Sequence, residues 1–299
     1  MAFMCRSGIL CVPLLIAAMA SAYAQQQEGV TSPPNPPAQP RQAPAPSTLE
    51  DGGYSLEPFY WFTTLLPVTP LMRGGASSSA SNADLAFPGI IKNAPGVILS
   101  IPALQQSTFR ISVFRVLGRG DETLPTDLTL LGTSYSQGQW LATTHVVDDV
   151  KVSWDFLTFR VPTGPGKLRV KTLWEAQWVR FGANVDAPYA PVLTDSSGNV
   201  VPNAAFETRS IILPTFGAEL EQSPARHFRY ELKASGFGIP HHADIWEAEG
   251  ALAFRFGRLE LLAGVKAFHF KTSPQGDEYY TETLSGPYAG IRYYLHNPE

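Results

Sequence analysis

From Tyr54 onward, polar and apolar side chains alternate with a period of two, and a helical period is hard to find. In 227–238, His227, Arg229, Glu231, Lys233 and Ser235 share one parity, while Phe228, Tyr230, Leu232, Ala234 and Gly236 share the other. The division recurs in 245–256, where Glu247, Glu249 and Arg255 oppose Trp246, Ala248, Leu252, Phe254 and Phe256. It recurs again in 259–271, where Glu260, Gly264 and Lys266 oppose Leu259, Leu261, Ala263, Val265 and Ala267. Earlier, Lys167, Arg169, Lys171, Glu175 and Gln177 oppose Leu168, Val170, Trp174, Ala176 and Trp178, and Lys151, Ser153 and Asp155 oppose Val150, Val152, Trp154 and Phe156.

This pattern predicts strands near 54–64, 97–103, 107–118, 141–160, 167–182, 206–221, 227–238, 244–256, 259–271 and 281–295. Most are longer than is usual in soluble sheets and reach the roughly 9 to 11 residues that cross a bilayer at a tilt. Short turns are expected at 104–106, 161–166, 222–226 and 257–258. Longer loops fall at 65–96, 118–142, 183–205 and 272–280, with a shorter one at 239–243. Short connections at one end and long ones at the other are the organisation of outer-membrane barrels, the short end being periplasmic. The expected fold is all-β: an antiparallel up-and-down transmembrane β-barrel of about ten strands, within a range of eight to twelve. Trp154, Trp174, Trp178, Trp246, Phe254, Phe256 and Tyr293 then face lipid as its aromatic belt. In a soluble sandwich or lipocalin the same parity would form the core, and periodicity alone does not separate the two.

Hairpin arithmetic gives the charged parity a role. If Gly257-Arg258 is a two-residue turn, Arg255 stands opposite Glu260, and Glu249 opposite Lys266. Centring the preceding turns on Pro162–Pro165 and on Pro224 sets Asp155 opposite Lys171, Lys151 opposite Glu175, Glu219 opposite Arg229 and Glu221 opposite His227. The reading is a lumen neutralised by its own ion pairs and closed to general diffusion, as a barrel this small is nearly filled by its side chains.

The first 24 residues read as a secretory signal, with Arg6 as its charge, an apolar run from Gly8 to Ala20, and Ala22-Tyr23-Ala24 before Gln25 as the cleavage site. Lipoprotein processing at Cys11 would split that run. Removal of the signal takes both cysteines, Cys5 and Cys11, so the mature chain has neither a disulfide nor a thiolate ligand. Residues 25–50, with Pro33, Pro34, Pro36, Pro37, Pro40, Pro44 and Pro46, read as a disordered, semi-extended linker, and 51–299 as one barrel domain. The 22 Lys+Arg against 26 Asp+Glu leave a net charge of −4, which is no footprint for nucleic acid.

At the C-terminus, Tyr288-Ala289-Gly290-Ile291-Arg292-Tyr293-Tyr294-Leu295 resembles the final-strand signal by which bacterial outer-membrane barrels are recognised for insertion, with Gly290, Tyr293 and Leu295 at the matching positions. The chain departs from it by ending His296-Asn297-Pro298-Glu299 in place of a terminal aromatic. Over about Tyr54 to Leu295 the chain resembles small outer-membrane β-barrels of the OmpA and OmpX kind. The resemblance implies an outer-membrane location with the linker and C-terminus periplasmic. It also implies outer-membrane lipid and the barrel-insertion machinery as partners, but no single activity.

Candidate chemistry is sparse. His241-His242-x-Asp244 lies in an expected extracellular loop, where two imidazoles beside a carboxylate could bind Zn²⁺ or act as a general base in a rim site resembling that of the omptin proteases. An ordinary polar loop is the simpler reading. The same-face carboxylates Glu247 with Glu249 and Glu219 with Glu221 are better read as structural ion pairs than as acid/base pairs. No G-x-G-x-x-G, P-loop or H-E-x-x-H occurs, and no cofactor is expected. The primary expectation is a non-enzymatic barrel serving as membrane anchor or surface contact. The alternatives are a lipid A- or peptide-modifying enzyme with its site near His241, His242 and Asp244, and a soluble periplasmic β-protein binding an apolar ligand.

Overall fold

The computed structural model describes residues 53–63, 71–74, 83–86, 89–103, 106–130, 133–163, 166–191, 193–194, 197–198, 200–201, 203–225, 227–273 and 279–295. The expected signal and linker lie outside the described residues. The long strands are β1 (Ser55–Trp61), β2 (Pro95–Ala103), β3 (Ser107–Thr123), β4 (Trp140–Thr163), β5 (Gly166–Asp186), β6 (Ala204–Ala225), β7 (Phe228–Gly238), β8 (Asp244–Phe256), β9 (Leu259–Lys271) and β10 (Tyr279–Tyr294). Each pairs antiparallel with the next, and β1 pairs with β10, so the ten strands close into an up-and-down barrel with no edge at its waist.

The connections carry further short strands. Leu71–Gly74 extends the sheet from β10 and pairs with Ala83–Ala86, while Gly89–Asn93 pairs with β3. Small hairpins, Leu128–Leu130 with Thr133–Tyr135 and Leu193–Thr194 with Val200–Val201, stand in the β3–β4 and β5–β6 loops. The wall is uneven in height. β6 pairs with β5 along Ala204 to Gln222 but with β7 only from Phe216 onward.

Parity assigns the faces. Glu57, Lys151, Lys171, Glu219, Arg229, Glu247, Glu260 and Arg292 are buried inside, and the apolar parity faces out, with Trp174 56% and Val265 62% exposed. The soluble reading required the opposite, a Trp-bearing core with charges in water, and this orientation overturns it.

Turn chemistry fixes some registers and corrects others. Gly257 has φ 60 and Phe256 pairs with Leu259, the geometry of a type II′ hairpin with glycine at its first position. Arg255 accordingly stands opposite Glu260, and Glu249 opposite Lys266. Between β4 and β5 the ladder runs on through Pro162 to the pair Thr163 and Gly166, and shifts at a bulge between Val170 and Lys171. Asp155 therefore faces Leu173, and Lys151 faces Gln177, two residues from the expected pairing. Between β6 and β7 the ladder passes Pro224 through a bulge to Ala225 and Phe228. Glu219 then faces Lys233, and Glu221 faces Glu231. Both errors come from placing a proline at a turn apex when it lies in or beside a strand, where bulges accommodate it. At Asp155, Lys151, Glu219 and Glu221 the error is an even number of residues, so the inward face is unchanged.

Candidate functional site

The half of the lumen nearest the short turns is an ion network. Directly opposed residues on β5 through β9 form the row Lys171, Glu219, Lys233, Glu249 and Lys266, alternating in sign across five strands. Lys171 Nζ lies 2.9 Å from Glu219 and 2.8 Å from Glu221, and Lys233 Nζ 3.3 Å from Glu175. Lys151 and Lys266 converge on Glu247 Oε1 at 2.8 and 3.0 Å, with Lys151 3.8 Å from Glu175 and Lys266 3.7 Å from Glu249. Arg229 reaches Glu221, Glu231 and Glu260 at 3.2, 2.8 and 2.8 Å. Arg292 reaches Glu57, Glu231 and Glu260 at 2.6, 3.1 and 3.0 Å. Arg110 bridges Asp155 and Glu219, both at 3.0 Å, and Arg169 holds Glu221 at 3.2 Å. A cavity of about 30 Å³ remains between Glu57, Arg110, Lys151, Glu247 and Lys266, room for a water or two.

Two expected lumen residues behave otherwise. Arg255 is opposite Glu260 in register, yet its Nε donates to the Gly257 carbonyl at 3.0 Å and its guanidinium lies 4.0 Å from the Tyr294 ring centroid. His227 lies outside the lumen. The register shift puts it in the exposed β6–β7 turn, with Nδ1 3.1 Å from the Arg255 carbonyl. Glu57, Arg110, Glu231, Lys233 and Arg292 do the work that the arithmetic assigned to too few groups. All five had the charged parity, but only barrel closure brings β1 and β10 together.

The other half of the lumen is an aromatic plug. Phe114 meets Trp61 at 5.7 Å and Phe268 at 5.2 Å, both edge-on, and Phe181 packs on Phe270 and Tyr280. Lys266 Nζ stands at the junction, 5.1 Å from the Phe114 ring and within 6 Å of Phe59 and Trp61, so one cation serves both halves. Within the plug, His145 Nε2 lies 3.5 Å from Glu282 Oε1, and neither side chain makes a hydrogen bond among the described residues. Gly118 opposite His145 leaves the ring its space, since a Cβ there would fall 2.1 Å from Cε1.

On the outer wall, Trp154, Trp174, Trp246, Phe254, Phe256 and Tyr293 are exposed, and Trp178 faces outward half-covered by neighbours. Toward the long-loop end this apolar band gives way to polar groups. Asp148 holds Arg115 and Arg180 on adjacent strands. His241 and His242 are exposed in the β7–β8 turn and do not gather around Asp244. Asp244 instead pairs across the sheet: its Oδ1 lies 3.0 Å from His269 Nε2, and His269 Nδ1 lies 2.6 Å from Thr283 Oγ1. The His269 ring stacks on Trp246 with centroids 5.5 Å apart. His269 and Thr283 are not evident in the sequence because they sit at the polar end of otherwise apolar parities, beside Lys271 and between Thr281 and Ser285, with nothing in the spacing to link them. Only the registers that set His269 opposite Trp246 and Thr283 reveal the cluster. Among the described residues no group of three His, Cys, Asp or Glu side chains is placed to hold a metal ion.

No protein-family model and no curated protein matches the sequence. Among solved structures, the chain is similar to the outer membrane protease OmpT from Escherichia coli, with a TM-score of 0.51 and 7% identity over 84% of this chain and 99% of that one. Weaker likenesses are to the toluene transporter TodX from P. putida, at TM-score 0.26 and 12% identity over 82% and 91% of the two chains, and to the CymD monoaromatic hydrocarbon channel, at 0.23 and 7% over 84% and 90%. Scores that low carry no weight for the fold, and 7% identity to OmpT carries none for activity. With its closed antiparallel barrel, charged lumen and apolar wall, the chain has the fold of an outer-membrane β-barrel.

Proposed function

We propose that this chain is an integral protein of the bacterial outer membrane that acts as a membrane anchor or surface-contact platform and does not conduct. The filled lumen is the observation that supports this. A diffusion pore needs a continuous aqueous path, whereas here an ion network and an aromatic plug are stacked along the axis, and the cavity among Glu57, Lys151, Glu247 and Lys266 has room for a water or two. The apolar outer band supplies the membrane contact, so outer-membrane lipid is the first partner and the barrel-insertion machinery the second. Leu295 N donates to the Tyr54 carbonyl at 2.9 Å, which places both ends of the barrel with the short turns, the end we assign to the periplasm. The long-loop end then faces outward and carries the contact surface.

The test is fractionation, followed by electrophoresis of the detergent extract with and without boiling, and then planar-bilayer recording. Outer-membrane recovery, a heat-dependent mobility shift and no steady conductance are expected. Recovery in the soluble periplasm would overturn the membrane assignment, and stable single-channel steps would overturn the closed lumen.

A further inference from the structure

We propose that Asp244, His269 and Thr283 form a hydrolytic site on the outer wall of the barrel, directed at the acyl esters of outer-leaflet lipids. The inference rests on the outer-membrane reading above, because it is membrane insertion that sets this cluster beside lipid.

The geometry is that of a nucleophile, a base and an orienting carboxylate. Asp244 Oδ1 lies 3.0 Å from His269 Nε2 and Thr283 Oγ1 2.6 Å from Nδ1, so the tautomer that carries its proton on Nε2, facing the carboxylate, leaves Nδ1 as acceptor for the threonine hydroxyl. Both contacts lie within the reach required of such a relay. Three adjacent strands supply the groups: His269 and Thr283 are directly opposed in β9 and β10, and Asp244 lies on β8 two residues from Trp246, the residue opposite His269. Stacking on Trp246 and the Asp244 contact hold the imidazole in one orientation.

Position names the substrate. The cluster faces away from the lumen, so its substrate comes from the surroundings of the barrel and not through it. Trp246 belongs to the aromatic belt, which lies at the level where headgroups meet acyl chains, and this is also the level of the ester bonds. Below His269 the same outward face of β9 runs Ala267, Val265, Ala263, Leu261 and Leu259, a surface for the acyl chain. Lys271, opposite Asp244 in register, adds a positive charge to this end of the face.

In the reaction, Thr283 Oγ1 bonds to the ester carbonyl carbon while its proton passes to His269 Nδ1. The carbon–oxygen bond to the alcohol then breaks, the imidazole returns the proton to the leaving oxygen, and an acyl-threonine remains. A water deprotonated by the same imidazole attacks this ester, releasing the fatty acid and restoring Thr283, so that the net change is ester plus water to acid plus alcohol.

The experiment uses the full chain refolded in detergent, with p-nitrophenyl palmitate in mixed micelles as substrate and a fluorophosphonate as covalent probe located by mass spectrometry. Labelling at Thr283 is expected, with hydrolysis reduced by at least about a hundredfold in Thr283→Val and His269→Gln and retained in Thr283→Ser. Heat-dependent mobility is measured on every variant. A protein that shifts but neither hydrolyses nor labels, or whose Thr283→Val variant hydrolyses at the unchanged rate, overturns the site while leaving the barrel reading intact. Absence of the shift in the wild type overturns the barrel reading itself.

Discussion

His241 occupies the third position of the turn Ile239-Pro240-His241-His242, with φ 64 and the His242 N–H donated to the Ile239 carbonyl at 3.0 Å. With proline second, this is a type II turn, whose third position favours glycine. The histidine therefore holds a costly conformation in exposed backbone, and His241→Gly should raise stability by roughly 1 kcal/mol, read from urea unfolding in micelles. Glu260 is the opposite case. It accepts from Arg229, Arg292 and the Tyr294 hydroxyl inside the barrel, so Glu260→Ala takes one of three carboxylate partners from each of two buried guanidiniums and should cost about 1–3 kcal/mol in the same assay. Glu260→Gln keeps the acceptor and should cost less. At this scale the sequence was partly legible: charge and parity identify Glu260 as a lumen residue. The His269 partner of Asp244 lies 25 residues away, and spacing within one strand does not indicate it.

At the scale of elements, the legible turn was the one glycine governs. The β8–β9 hairpin follows from Gly257 alone, because a two-residue loop leaves the register no freedom. The β6–β7 register was not legible, since Pro224 marks a bulge as readily as a turn and a bulge changes the count of residues on one strand. The loop elements were equally silent, being too short to show a period. One of them carries a testable contact. The Tyr135 hydroxyl donates to the Val185 carbonyl at 3.3 Å, tying the β3–β4 loop to β5, and burial pushes its pKa up to about 12. An unfolded tyrosine ionises near pH 10, so between about pH 10 and 12 the folded form binds more protons and the contact weakens as pH rises. Limited proteolysis should show this loop opening across that range, and Tyr135→Phe should remove that pH dependence.

At the scale of the whole molecule, strand order follows from period-two alternation joined to short turns, while the inward direction of the charges follows from strand length and the asymmetry of the loops, since alternation alone is the same for either face. The aromatic plug follows from neither. In its segments both parities are apolar, as at Val146 with Val147, so the alternation that marks the ion network fades where the lumen turns apolar. A barrel read only from its charges thus appears ion-paired throughout, while the structure divides it between salt bridges and rings. Phe114→Ala or Phe268→Ala should each destabilise the barrel by about 3–5 kcal/mol, because the rigid wall cannot collapse onto the space left behind.

Because β6 outruns β7, the stretch from Ala204 to Leu213 has β5 on one side and, among the described residues, no strand on the other. In an antiparallel ladder successive amides point alternately to the two sides. Hydrogen exchange resolved by residue should therefore be slow and fast in turn along these positions, unlike the uniform protection of the waist. Pro214 stands where the pairing stops and offers no amide to an approaching chain, which blunts that edge. Above it, the backbone donors of this short span remain open to an extended peptide, which makes the taller wall the place where two copies released from their lipid would first adhere.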